Sequence, residues 1–424
     1  MNTLEFAKSK IQGVLDTLEE LKALDFPFAH AIEALSELER NFADIKGTLD
    51  SLGPNNTPLI VQTTCQRALD TLAQQLPAIG FIARSTEVNG PVEFHGPFLR
   101  IVRQAINQNT RLVISSEWDF SPYTFIFPEL FREHQFVLVG LPVSESDNAL
   151  ITPLAGHELG HNIWEQERYD DALSKIVYGN IKLLIEGKFW SDFKDQFRLQ
   201  DKTQIEGDLF GISAWENAVA WALAQSQELF CDCIGLLLFR EAYLYAFAYL
   251  VAPWGFERTE RRYPSMRNRI EVMTKAATSY EITVPTGYSD IFISPEKYND
   301  DDVLLAISDE ATLALSDSLI SLASSFVQQK SISPDVTDTQ SIINAFKNGV
   351  PATGAKSITS ILIAGCNLRA QGKTPWTEGY PVTGDSKIWH GTLNELLLKS
   401  LEVFEIEQRQ TSNPCSTTQP SLNF

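Results

Sequence analysis

The chain has 424 residues, 44% of them hydrophobic and 21% charged, with a formal net charge of −20. That length buries a large core and allows two or three domains, while the acidic charge argues against nucleic acid and anionic membrane surfaces as partners, both of which favour basic patches. Five cysteines, at 65, 231, 233, 366 and 415, are odd in number and lack CxxC spacing, and the charged amphipathic opening lacks a signal-peptide core, so a reduced, cytoplasmic setting is expected.

Leu4, Ile11, Leu15, Leu18 and Leu21 follow helical spacing. Residues 2 to about 53 are therefore expected as an antiparallel helical hairpin broken near Asp25-Phe26-Pro27. Residues 51–57 read as a loop, with a further helix to about Gln75. The segment from Gly90 to Pro97 is turn-rich; His95 within it reads as a surface or hydrogen-bonded histidine. A helix from about Phe98 to Asn107 follows. β-type runs at 111–116, 123–127 and 136–142 predict a small sheet. Residues 144–148 form a turn-and-cap cluster with Asp147 as the expected N-cap, and 154–164 is then apolar on one face.

That last run contains His157-Glu158-Leu159-Gly160-His161, an HExxH sequence. On a helix, positions i and i+4 share a face, so His157 and His161 can grip one metal ion together. Glu158, one step round, can reach a water beside that ion without binding it. This is the arrangement that metal-assisted hydrolysis requires, most often of a peptide bond.

A catalytic zinc usually takes three protein ligands, and no third histidine follows at short range. Glu228-Leu-Phe-Cys-Asp232 offers an ExxxD pattern on a strongly helical, apolar stretch. Glu228 can complete a His-His-Glu site, and Asp232 can accept the free ring N–H of one zinc histidine. The apolar flanks favour this, because buried carboxylates are costly unless paired or metal-bound. Glu206, Asp208, Glu216 and Glu241 remain alternative third ligands. Cys231 and Cys233 read as small core residues. The apolar stretch from Cys233 to Phe256 is interrupted by Arg240 and Glu241 and is too short between interruptions to span a bilayer. Its Tyr243, Tyr245 and Tyr249 read as core.

Tyr263-Pro-Ser-Met-Arg-Asn-Arg-Ile-Glu271 comes next. HELGH, then ELFCD after a long insert, then this proline-containing segment ending Arg-Ile-Glu, together resemble the HtpX-like and CAAX-prenyl zinc endopeptidases, members of the gluzincins. The resemblance covers three short blocks between residues 149 and 271. It implies a zincin-like core with a small sheet whose edge strand pairs with extended substrate, and one Zn²⁺ per chain on His157, His161 and Glu228. It also implies catalytic roles for Glu158, Tyr263 and Arg269, the last two toward substrate and the developing oxyanion. Tyr263 stands where that family has histidine, and the membrane helices of its best-known members are missing.

Beyond residue 285, helices are expected at 301–329, 338–348, 355–370 and 389–409, then a flexible tail at 411–424. The expected fold class is α+β, predominantly α-helical. Its regions are a helical N-terminal part (1–108), a metallopeptidase core (109–285), a helical C-terminal part (286–410) and the tail. The expected function is a soluble zinc endopeptidase acting on protein or peptide substrates, with no nucleic-acid or membrane partner. The competing expectation is a non-catalytic or latent interaction protein of the same fold, with structural zinc or none.

Overall fold

The computed structural model describes residues 3–53, 56–86, 92–117, 122–125, 131, 133–145, 148–205, 209–252, 260–292, 302–371 and 386–412. Asp147, Glu206, Asp208, Cys415 and the expected tail beyond 412 lie outside them. The chain is predominantly helical with a small three-stranded sheet, an α+β protein. Two compact units divide it: residues 1–92 with 102–147, and residues 93–101 with 148–424. The division does not follow the expected boundaries at 108 and 285. Tertiary packing assigns the sheet to the N-terminal helices and the C-terminal helices to the HELGH segment.

In the first unit α1 (Thr3–Lys22) and α2 (Ala29–Asp50) form the expected hairpin. Ala7, Ile11 and Leu18 bury against Leu35, Leu38 and Phe42, and Lys8 reaches Asp50 at 3.2 Å, fixing the antiparallel sense. α3 (Pro58–Arg84) opens on Thr57, whose hydroxyl accepts from the Ile60 N–H, with Pro58 in the first turn. It runs on through Pro77 to Arg84 instead of ending near Gln75. An interior proline costs about 3 kcal/mol. Burial of Ile79, Phe81 and Ile82, at roughly 1.5–3 kcal/mol each, outweighs it.

The sheet has the order β1 (Arg111–Glu117), β3 (Phe136–Pro142), β2 (Tyr123–Phe125), with β1 parallel and β2 antiparallel to β3. Every residue of β3 is buried, which explains its unbroken apolar run: a central strand has no solvent face to alternate with. Residues 136–142 are therefore not an edge, whereas 111–117 are.

In the second unit α4 (Val92–Ala105) contributes residues 93–101. It begins six residues ahead of the expected start at Phe98, taking in Gly96 and Pro97, because Phe94 and Phe98 stack at 5.0 Å and both rings reach Phe239. Asn148 caps a buried 3-10 turn (Ala149–Leu154) by accepting from the Leu150 N–H, and α5 (Ala155–Glu167) carries HELGH. α6 (Tyr169–Glu186) and α7 (Trp190–Phe197) fill the insert before α8 (Leu209–Phe239), which carries ExxxD. α9 (Glu241–Val251), α10 (Met266–Ser279), α11 (Val303–Leu313), α12 (Ser316–Gln329), α13 (Thr339–Lys347), α14 (Ile358–Ala370) and α15 (Ser386–Ser412) complete it. The run expected as one helix over 301–329 breaks at Ala314 and Leu315, and both halves pack on α8.

α8 is the spine: α5, α6, α10, α11 and α12 all lie against it. Hydroxyls from neighbouring helices hydrogen-bond its carbonyls, Ser308 to Ala218 at 3.0 Å and Thr359 to Leu238 at 2.8 Å. Its Trp215–Phe239 segment is long and apolar enough to cross a membrane, and 72% of that window is buried inside the protein. Helical neighbours cover most of its circumference, as in a core helix.

Candidate metal centre

Two glycines bring α5 and α8 together. A Cβ on Gly160 would stand 2.7 Å from the Cys231 Cα, and one on Gly156 would stand 2.9 Å from the Phe239 ring. No larger residue fits either place, so the helices approach almost backbone to backbone. His157 and His161 flank Gly160 on α5, while Glu228 and Asp232 flank Cys231 on α8. The close approach carries the i, i+4 pair of one helix onto the i, i+4 pair of the other.

His157 Nε2 lies 3.4 Å from Glu228 Oε2, and His161 Nε2 lies 3.5 Å from Glu228 Oε1. The first is a long hydrogen bond and the second lies at the limit of one. Each matches the spacing of one pair of donors around a small cation, since ligands about 2.0–2.2 Å from a tetrahedral ion stand roughly 3.3–3.6 Å apart; the two contacts use different oxygens of Glu228. The chemistry of the set, two imidazoles and a carboxylate, suits zinc. The two rings meet edge to face at 4.9 Å between centroids.

Asp232 has no exposed surface. The far nitrogen of His157, Nδ1, donates to its Oδ1 at 2.9 Å. Arg269 donates to it through Nε at 2.6 Å and Nη2 at 2.8 Å, and the Tyr243 hydroxyl donates to Oδ1 at 2.6 Å. A buried carboxylate is tolerable here because both oxygens accept hydrogen bonds, Oδ1 from three donors and Oδ2 from the Arg269 Nε. With Nδ1–H fixed on Asp232, Nε2 is the nitrogen left to face Glu228.

Electrostatics separate the groups. Burial pushes the His157 imidazolium down, but hydrogen bonds and negative charge from Asp232 and Glu228 override it and raise the pKa to about 10. Burial, then the positive charge of His157, lowers His161 to about 4. Without metal the pair thus carries one positive charge, the extra proton residing on His157. Burial opposes ionisation of Glu228, yet the His157 hydrogen bond and charge bring it to about 2. Burial raises Glu158 to about 7, His157 pulling the other way. Glu158 is therefore a carboxylate that can both take and return a proton near neutrality.

The structure brings together His157, Glu158, His161, Glu228, Asp232 and Arg269. Arg269 comes from α10, whose start is set by Pro264 and by Ser265 accepting from the Asn268 N–H. Its guanidinium is occupied by Asp232, lies 3.6 Å from Glu228 Oε2 and stacks over the Phe247 ring at 4.9 Å. Tyr263 is half-buried just ahead of α10; burial raises its phenol, with the Glu228 charge the next cause, which places it within electrostatic reach of that carboxylate. Of the alternative ligands, Glu216 is exposed, and Glu241 accepts from the Thr283 N–H and faces Arg240. Tyr243 is the member that sequence reasoning assigned to core packing. Nothing in its spacing marks it, because it meets Asp232 only after the chain reverses at Arg240.

Fold and site together define a class: a helical α+β protein with a His-His-Glu donor set on two apposed buried helices and an ionisable carboxylate beside it. Comparison of the chain with protein-family models, curated proteins and solved structures returns no match.

Proposed function

We propose that this chain is a soluble zinc-dependent endopeptidase with a zincin-like core, holding one zinc ion on His157, His161 and Glu228. The observation that carries the reading is the pairing of that donor set, open at 3.4 and 3.5 Å, with a buried Glu158 pushed up to about 7. A purely structural site has no use for such a group. The three-block resemblance to gluzincins supports the same reading.

Bound zinc supplies Lewis acidity toward a carbonyl oxygen and acidifies a neighbouring water. Glu158 accepts the proton of that water at its carboxylate as the water attacks the scissile carbonyl, then delivers it to the leaving amine nitrogen. Asp232 holds the His157 ring. Arg269 acts through Asp232, and its positive charge beside Glu228 keeps that carboxylate ionised. Tyr263 supplies a phenolic donor for the oxyanion. The test has two arms. Zinc content is measured on wild type, His161→Ala and Glu228→Ala, with about one zinc per chain expected in the first and none in the others. Hydrolysis of a peptide library is measured on wild type and Glu158→Gln, and equal activity in both sinks the mechanism.

One observation favours a second reading. Cys231 Sγ lies within 4.8 Å of a ring nitrogen of both His157 and His161, so a small shift would close the site with a fourth protein ligand. Zinc would then be structural, in a non-catalytic or latent protein. Glu228, at 3.4 and 3.5 Å, is the better placed donor, and the thiol stays protonated under burial and the nearby Glu228 charge. A thiolate-to-metal charge-transfer band in the cobalt-substituted protein would establish the closed site.

A further inference from the structure

Tyr243 sits one turn into α9, behind the metal donors and far from them in any sequence pattern. Its hydroxyl donates to Asp232 Oδ1 at 2.6 Å and lies 3.4 Å from His157 Nδ1. Two backbone features put it there. Arg240, between α8 and α9, has φ 51° and ψ −131°, a conformation that costs a residue with a side chain about 1–3 kcal/mol. It is held by donation from its Nη2 to the Glu281 carbonyl at 2.8 Å. Gly235 leaves the space the ring occupies: a Cβ there would stand 2.3 Å from the Tyr243 Cε2. A strained reversal and a glycine thus both serve the placement of one hydroxyl. Core packing alone does not require that, since phenylalanine fills the same volume.

We propose that Tyr243 is a positioning residue of the metal centre. Its O–H completes the donor shell of Asp232, so that Asp232 holds the His157 ring by Nδ1 with Nε2 turned toward Glu228 before any metal arrives. The inference rests on the metal-site reading above and adds a residue to it. Asp232 Oδ1 takes His157, Tyr243 and Arg269 together. Removing the hydroxyl frees that oxygen to shift toward Arg269, loosening the ring it orients. Outer partners of this kind typically change metal affinity 10–100-fold.

The test uses the full chain. Zinc Kd by chelator competition and the visible spectrum of the cobalt-substituted protein are measured for wild type, Tyr243→Phe and Tyr288→Phe. Tyr288 is a comparably buried tyrosine whose hydroxyl donates to the Leu244 carbonyl at 3.1 Å, so its variant reports the cost of losing a buried hydroxyl as such. Tyr243→Phe is expected to weaken zinc roughly tenfold and to shift the cobalt spectrum, with Tyr288→Phe unchanged in both. Equal Kd in wild type and Tyr243→Phe, or equal weakening in both variants, overturns the role of Tyr243 while leaving the metal site standing. A wild type that takes up no zinc overturns the metal-site reading and this inference with it.

Discussion

Each compact unit holds a histidine–carboxylate group built on a buried carboxylate, Glu37 in the first and Asp232 in the second, and the two differ in one respect that matters. In the first unit Glu37 Oε1 meets His134 Nδ1 at 2.6 Å, its Oε2 accepts from the Glu133 N–H at 3.1 Å, and the Glu133 carboxylate pairs with Arg40 at 2.7 Å. Both oxygens of Glu37 there already have a donor at hydrogen-bond distance. In the second unit the outer ends of the network close equally tightly, Asp232 at 2.6–2.9 Å from its donors. The contacts of Glu228 with His157 and His161 are longer, 3.4 and 3.5 Å. A satisfied cluster holds a fold together; a cluster satisfied behind and open in front can hold a ligand.

The largest effect expected from that contrast is on turnover. Glu158→Gln should keep zinc and lose peptide hydrolysis by about 10²–10⁴-fold, the usual worth of a general base; parallel metal analysis and kinetics on the same preparation check it. Next, zinc content should fall to zero in His161→Ala and Glu228→Ala and stay at wild-type level in His134→Ala. That last variant should cost only about 1 kcal/mol in urea unfolding, because its ring is partly solvated. Zinc lost from His134→Ala would reverse the assignment of the two clusters.

Smaller effects sharpen the comparison. Gly160→Ala should push α5 from α8 and cost about 1–3 kcal/mol of stability while also weakening zinc. An alanine that loses stability but binds zinc with unchanged Kd would show that the donors do not depend on the helix approach. The last effect is on protons. His157 without metal is raised from 6.5 to about 10, so its contribution to stability is fully present below pH 6.5 and lost as pH rises through 10. Zinc must displace that proton, so its affinity falls as pH falls, and binding between pH 7 and 8 should release about one proton from His157. Calorimetry in buffers of different ionisation enthalpy measures this, and zinc uptake without proton release would contradict the His157–Asp232 coupling.

Much of the fold could be read along the chain. The α1–α2 hairpin, the three strands and the HELGH and ExxxD helices follow from local periodicity, whereas the caps at Thr57 and Ser265 came from the structure. The misreadings share a cause. Pro77 and the Gly96-Pro97 pair look like breaks because local propensity penalises them, and they lie in helices because buried rings and aliphatic chains outweigh that penalty. Long-range pairings are also invisible locally: β1 reaches β3 across the intervening residues, and α11 and α12 return to α8, which no local pattern contains.

The sequence by itself determined the candidate ligands. The i, i+4 spacing of His157 with His161, and of Glu228 with Asp232, dictates shared helix faces whatever surrounds them. Only the tertiary structure decided that the two faces meet, because the meeting depends on Gly156 and Gly160 letting α5 close on α8. It also assigned Arg269 to Asp232 and brought in Tyr243 through the turn at Arg240. Helix faces are set by bonds between near neighbours in the chain. Which faces touch is set by packing between residues far apart in it, and the approach of His157 and His161 to Glu228 is a product of that packing.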